Sequence, residues 1–177
     1  METVAVKDAS VLIDLVNGEL LERWFSLGIV TLVTDSVIAE LRRGEQYENI
    51  DPFVTGGQIT IDRIEDKDAL SWLENVSKYS DEMKISFADA TSVICAETHQ
   101  AILLTGDARM RKGAFGKKIK VHGVLWILDL LVWNEKLDNE TAIDSLVAIL
   151  DAGARLPDCE CQKRMDAWDE NKKIKPA

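Results

Sequence analysis

Val4-Ala5-Val6-Lys7-Asp8-Ala9-Ser10-Val11-Leu12-Ile13-Asp14-Leu15-Val16 decides the fold of this chain. Its first three residues form a short apolar run with strand character. From Ser10 to Phe25 the apolar residues Val11, Leu12, Leu15, Val16, Leu20 and Leu21 fall at roughly helical spacing, so the segment reads as strand, tight turn and helix. The unit then repeats. Ile29-Val30-Thr31-Leu32-Val33 is rich in β-branched residues, and Thr34-Asp35-Ser36 supplies capping chemistry for a helix carrying Val37, Ile38 and Leu41. Gln58-Ile59-Thr60-Ile61 reads as a third strand leading into a helix over 65–79. A helix over 86–99, a buried strand over 101–105 and a short final strand over 119–121 continue the alternation. Parallel strands need crossover connections and helices supply them, so this order predicts an α/β domain with a parallel sheet covered on both faces.

Working outward, 124–135 and 139–152 read as two further helices, the second capped by Asn139 and ended at Gly153. After Pro157 the composition turns polar. The expected division is therefore a domain over 1–155 and a polar, mobile tail over 156–177 that contains a short helix.

The 177 residues include 21 Lys+Arg against 31 Asp+Glu, a formal net charge of −10 at pH 7. That length suits one domain with its own core. With 46% apolar residues and no run near the ~20 that a bilayer span needs, the composition fits neither a membrane protein nor a disordered polymer. Met1-Glu2-Thr3-Val4 begins no secretory signal, and three cysteines (Cys95, Cys159, Cys161) suit no disulfide framework, so the expected compartment is the cytosol. Such acidity argues against a protein that coats nucleic acid indiscriminately. It leaves room for a local basic track, or for carboxylates gathered for chemistry.

Asp8 follows the first strand, and Asp107 follows Leu103-Leu104-Thr105-Gly106. Both stand at the carboxyl end of a strand, the edge where open parallel sheets bind ligands. Each also fits as the N-cap of the next helix. Glu40 flanks the buried stripe of the second helix, and Asp89 in Ser86-Phe87-Ala88-Asp89-Ala90 fits a capping box in an apolar first turn.

Lys7-Asp8-Ala9-Ser10, Thr34-Asp35-Ser36-Val37-Ile38-Ala39-Glu40-Leu41, Ser86-Phe87-Ala88-Asp89-Ala90 and Leu103-Leu104-Thr105-Gly106-Asp107-Ala108-Arg109-Met110-Arg111 together resemble the PIN-domain nucleases, among them the VapC-like ribonucleases, over roughly the first 125 residues. The resemblance implies a three-layer α/β/α PIN-like domain with a mostly parallel sheet of about five strands, plus a C-terminal helical extension. It places the family's acidic cluster on Asp8, Glu40, Asp89 and Asp107, with Ser10 and Thr105 as supporting hydroxyls. It also implies hydrolysis of RNA to leave a 5′-phosphate.

Clustered carboxylates raise one another's pKa values, and a bound cation relieves the repulsion. Oxygen donors suit Mg²⁺ or Mn²⁺. Asp8, Asp89 and Asp107 are the expected metal contacts, and Glu40 the residue that orients or deprotonates water. Arg109, Arg111, Lys112, Lys117, Lys118 and Lys120 form a basic run in an acidic chain, the expected contact with RNA phosphates; a solvated surface is the alternative. The partners expected are RNA, an antitoxin protein if the chain is the toxin of a toxin and antitoxin pair, and a second copy of the chain. A non-catalytic PIN-fold binding module is the competing reading. His99 and His122 show no metal-ligand spacing, Cys95 reads as a buried small hydrophobe, and Cys159-Glu160-Cys161 lacks the further ligands of a zinc site.

Overall fold

A computed structural model describes residues 4–63 and 69–176. Strands β1 (Val4–Lys7), β2 (Val30–Thr34), β3 (Ile59–Asp62), β4 (Ile102–Leu104) and β5 (Val121–His122) pair in parallel throughout, in the order β3-β2-β1-β4-β5. Ten helices are described around them: α1 (Ala9–Asn17), α2 (Leu21–Phe25), α3 (Asp35–Leu41), α4 (Tyr47–Thr55), α5 (Ala69–Met83), α6 (Phe87–Thr98), α7 (Ala108–Gly116), α8 (Val124–Trp133), α9 (Asn139–Asp151) and α10 (Asp158–Asp169).

Side chains alternate across a strand, so β1, β2 and β4 each feed two cores. Ala5, Val33 and Leu104 join Leu12, Leu15, Trp24, Ile127, Leu128 and Leu146 on one face. Val6, Leu32 and Leu103 join Val76, Ala90, Val93 and Met110 of α5, α6 and α7 on the other. The α/β sandwich with a C-terminal helical extension is thus as expected. The chain lays β2 and β3 on one side of β1, then β4 and β5 on the other. Strand order reverses between β1 and β4, which opens a crevice beyond their carboxyl ends.

Several expectations are corrected. The single helix expected over 10–25 is two, because the chain turns at Gly18 and at Glu19, whose φ of 55° is left-handed. Any side chain at Gly18 would meet Ile149 of α9, 2.9 Å from an added Cβ. The helix expected over 65–79 is seen as α5 from Ala69 to Met83, and 65–68 lie outside the described residues. Helix α4 was not expected: Pro52 lies inside it and Ile50 is its buried residue, so neither pattern nor propensity announces it. The last strand begins at Val121 instead of Ile119. Asp138, not Asn139, caps α9, its Oδ1 accepting from the Thr141 N–H at 2.8 Å.

The short helix expected within the polar segment 156–177 is present and packs against the domain. Residues 158–169 form α10, which buries Cys161 and Trp168 in the first core. Arg164 of α10 pairs with the buried Asp129 of α8. No helix among the described residues is long and apolar enough to cross a membrane.

Candidate active site

Asp8 stands where β1 passes into α1, and its backbone N–H donates to the Leu104 carbonyl of β4, tying the two strand ends together. The residue is only 2% exposed. Asp8 Oδ1 accepts from Ser10 Oγ and from the Val11 N–H, both at 2.9 Å. Burial pushes the Asp8 pKa up, opposed by hydrogen bonds from Thr105, Val11 and Ser10 and reinforced by the charge of Asp89. Thr105 is fully buried; its Oγ1 accepts from the Asp107 N–H at 3.0 Å and lies 3.3 Å from Met110 Sδ.

The same residues are also helix caps. Asp107 Oδ1 receives the N–H groups of Arg109 and Met110 at 2.8 Å each. Asp89 Oδ2 receives the Ser86 N–H at 3.3 Å, completing a capping box in which Ser86 Oγ accepts from the Asp89 N–H. Capping engages Oδ1 of Asp8, Oδ2 of Asp89 and Oδ1 of Asp107, and so fixes each carboxylate's direction while its other oxygen is not used by the cap. Capping alone does not account for the burial of Asp8 beside another acid, since a cap works as well in solvent.

Glu40, on the last turn of α3, is exposed and makes no hydrogen bond or ion pair among the described residues. Its helix is tied to that of Asp89 by the hydroxyls of Thr34 and Thr91, 2.7 Å apart. Thr91 Oγ1 donates to the Ala88 carbonyl, so Thr34 is the donor of the pair, and its oxygen accepts from the Val37 N–H at 3.4 Å.

The basic run does not share one location. Arg111 Nη1 donates to the Thr105 carbonyl at 3.2 Å, and its charge acts on His122 of β5. Arg109 donates to the Lys84 carbonyl at 2.9 Å, and it lines a cavity with Lys112 and Glu82. Lys117, Lys118 and Lys120, expected beside the acids, instead line a cavity with Val4, Gln100 and Ile102, at the amino ends of β1 and β4. Lys117 Nζ also sits 3.8 Å above the Tyr79 ring.

Two ionisable neighbours of Asp8 were missed. Asp14 has its pKa raised to about 7, by burial first and then by the charge of Asp8. The signal was available as one acid inside the apolar run Val11-Leu12-Ile13-Asp14-Leu15-Val16. Lys7 is fully buried, its Nζ without a hydrogen-bond partner among the described residues and 3.5 Å from the centroid of the Trp24 ring. Burial holds the Lys7 pKa well below the usual lysine value against the pull of Asp8. A strand of alternating faces gives no sign that a lysine turns inward.

Asp8, Asp89 and Asp107 present only oxygen donors, and the buried, like-charged Asp8 is the kind of group whose charge a hard divalent cation would balance, although one oxygen from each of the three does not lie within 4.8 Å of the other two. Residues 4–170 match the family DUF3368, described as a PIN domain. The match therefore extends into α10, beyond the first 125 residues that carried the resemblance. Among solved structures, the crystal structure of PAE2754 from Pyrobaculum aerophilum superposes with a TM-score of 0.52 at 18% identity, covering 75% of this chain and 98% of that one. That likeness bears on the fold. No curated protein matches.

Proposed function

The chain belongs to the PIN-domain family, and from that premise we propose that it is a divalent-metal-dependent ribonuclease acting through Asp8, Asp89, Asp107 and Glu40. What carries this reading is the burial of the Asp8 carboxylate beside Asp89, at the crevice where strand order reverses. Asp8, Asp89 and Asp107 would hold Mg²⁺ or Mn²⁺, which when bound makes water more acidic and offsets charge on the phosphodiester. Ser10, Thr105 and the Val11 N–H orient Asp8. Glu40 accepts the proton of the attacking water; the water oxygen bonds to phosphorus and the P–O3′ bond breaks. A 5′-phosphate remains on one product, and the departing 3′ oxygen takes a proton from solvent. Arg111, anchored on the Thr105 carbonyl, is the cation best placed to hold an adjacent phosphate.

The apolar side chains of Leu70, Leu73 and Phe87, all substantially exposed, support a protein partner near Asp89. A toxin held by an antitoxin is the form of this proposal that uses them. The capping roles of Asp8, Asp89 and Asp107 favour a second reading, a PIN-fold module that binds RNA without cutting it.

Incubation with single-stranded RNA separates the two. The nuclease yields 5′-phosphorylated products with Mg²⁺ or Mn²⁺ and none with chelator, and Asp89→Asn, which keeps its cap, lowers the rate by about a hundredfold or more. RNA that is bound but stays intact with either ion favours the module.

A further inference from the structure

We propose that Asp62, Cys95 and His99 form a second metal site, for a borderline-soft divalent ion of the Zn²⁺ class, separate from the carboxylate cluster and clamping the edge strand β3 to α6. One ligand atom from each lies within 4.8 Å of the other two. Asp62 ends β3, Cys95 lies in the last turns of α6, and His99, four residues on, is the C-cap of that helix, its backbone N–H donating to the Cys95 carbonyl, which brings the two side chains to one side of the helix end. His99 Nε2 is 3.2 Å from Asp62 Oδ1. Two ligands bonded at ~2.0–2.1 Å in tetrahedral geometry stand roughly 3.3 Å apart, so this pair already has the spacing of one edge of a zinc tetrahedron.

Cys95 is buried, and it lines a cavity of about 270 Å³ together with Asp62 and His99. Asp35 and Thr98 line the same cavity, which leaves space for a water as fourth ligand. The exposed side of His99 gives the ion a way in. A thiol, an imidazole and a carboxylate form the donor set that Zn²⁺ or Co²⁺ takes and that Mg²⁺ declines. Along α6, Cys95 and His99 are six and ten residues from Asp89, roughly 9 and 15 Å of helix rise, so one ion cannot serve both sites. On binding, the Cys95 thiol passes its proton to buffer and the sulfur bonds to the metal.

Co²⁺ added to the metal-free full chain reads the site directly. The expected result is one equivalent bound with a thiolate-to-cobalt charge-transfer band, absent in Cys95→Ser and retained in Asp8→Asn. His99→Ala, at a more exposed position, covers the case in which Cys95→Ser fails to fold; it should weaken Co²⁺ binding at least about tenfold and remove the rise in Tm that Zn²⁺ gives the parent protein. Absence of the band in the folded parent protein would overturn the proposal. So would a band of equal strength in Cys95→Ser, which would assign it to the exposed thiol of Cys159, or unchanged Co²⁺ affinity in His99→Ala.

Discussion

Arg164 of α10 holds the buried carboxylate of Asp129 on α8 with two nitrogens, Nη2 2.6 Å from Oδ2 and Nε 3.0 Å from Oδ1. Burial pushes the Asp129 pKa up, and the Arg164 guanidinium works against that shift. Arg164→Leu leaves a buried acid unpaired and should cost about 3–5 kcal/mol, whereas Arg164→Met combined with Asp129→Leu should fall close to the parent protein. Urea unfolding of the variants checks this. Equal stability of Arg164→Leu and the parent would mean that α10 contributes little to the fold.

Asp14 and Asp8 carry a pH signature. Both have folded pKa values raised above the usual carboxylate value, Asp14 to about 7, so the folded chain holds their protons more tightly than the unfolded one. Their contribution is favourable below about pH 4 and is lost as pH rises through the folded values, for Asp14 near 7. Asp14→Asn should therefore raise stability at pH 8 by roughly 1–2 kcal/mol, a figure reduced for the group's partial exposure, and change it little at pH 4. Asp8→Asn should stabilise the metal-free chain in the same direction while abolishing cleavage. Thermal melts at the two pH values decide it, and a destabilised Asp14→Asn at pH 8 would reverse the assignment.

RNA contacts should follow position in space more than charge in sequence. Arg111→Ala is expected to weaken binding and to reduce the salt slope, log K against log salt, by about 0.7 for one lost phosphate contact. Lys117→Ala with Lys118→Ala, at the amino ends of the strands, should leave the slope nearly unchanged. Fluorescence anisotropy across a salt series checks both, and the opposite ranking would move the RNA track to the Lys117 cavity.

Much of the fold was legible because β1, β2 and β4 are short runs buried on both faces, each followed by a capping residue. The acids Asp8 and Asp107 were legible for the same reason, since a strand end in a parallel sheet is a defined place. What was missed depends on packing. Gly18 interrupts an unbroken helical pattern because α9 crosses there. Helix α10 reads as polar because it gives the core mainly Cys161 and Trp168. The basic run adjoins the acids in sequence but not in space, because nine-residue α7 carries the chain roughly 13 Å away from them. Asp62 joins Cys95 and His99 only through the tertiary fold.

The central claim is that Asp8, Asp89 and Asp107 hold the ion on which RNA cleavage depends. Anomalous diffraction from crystals grown with Mn²⁺ tests it most directly. A manganese peak within ligand distance of Asp8 and at least one of Asp89 and Asp107, lost in Asp8→Asn crystals, is the predicted result. A map with no peak beside Asp8, or with manganese only between Asp62, Cys95 and His99, would contradict it.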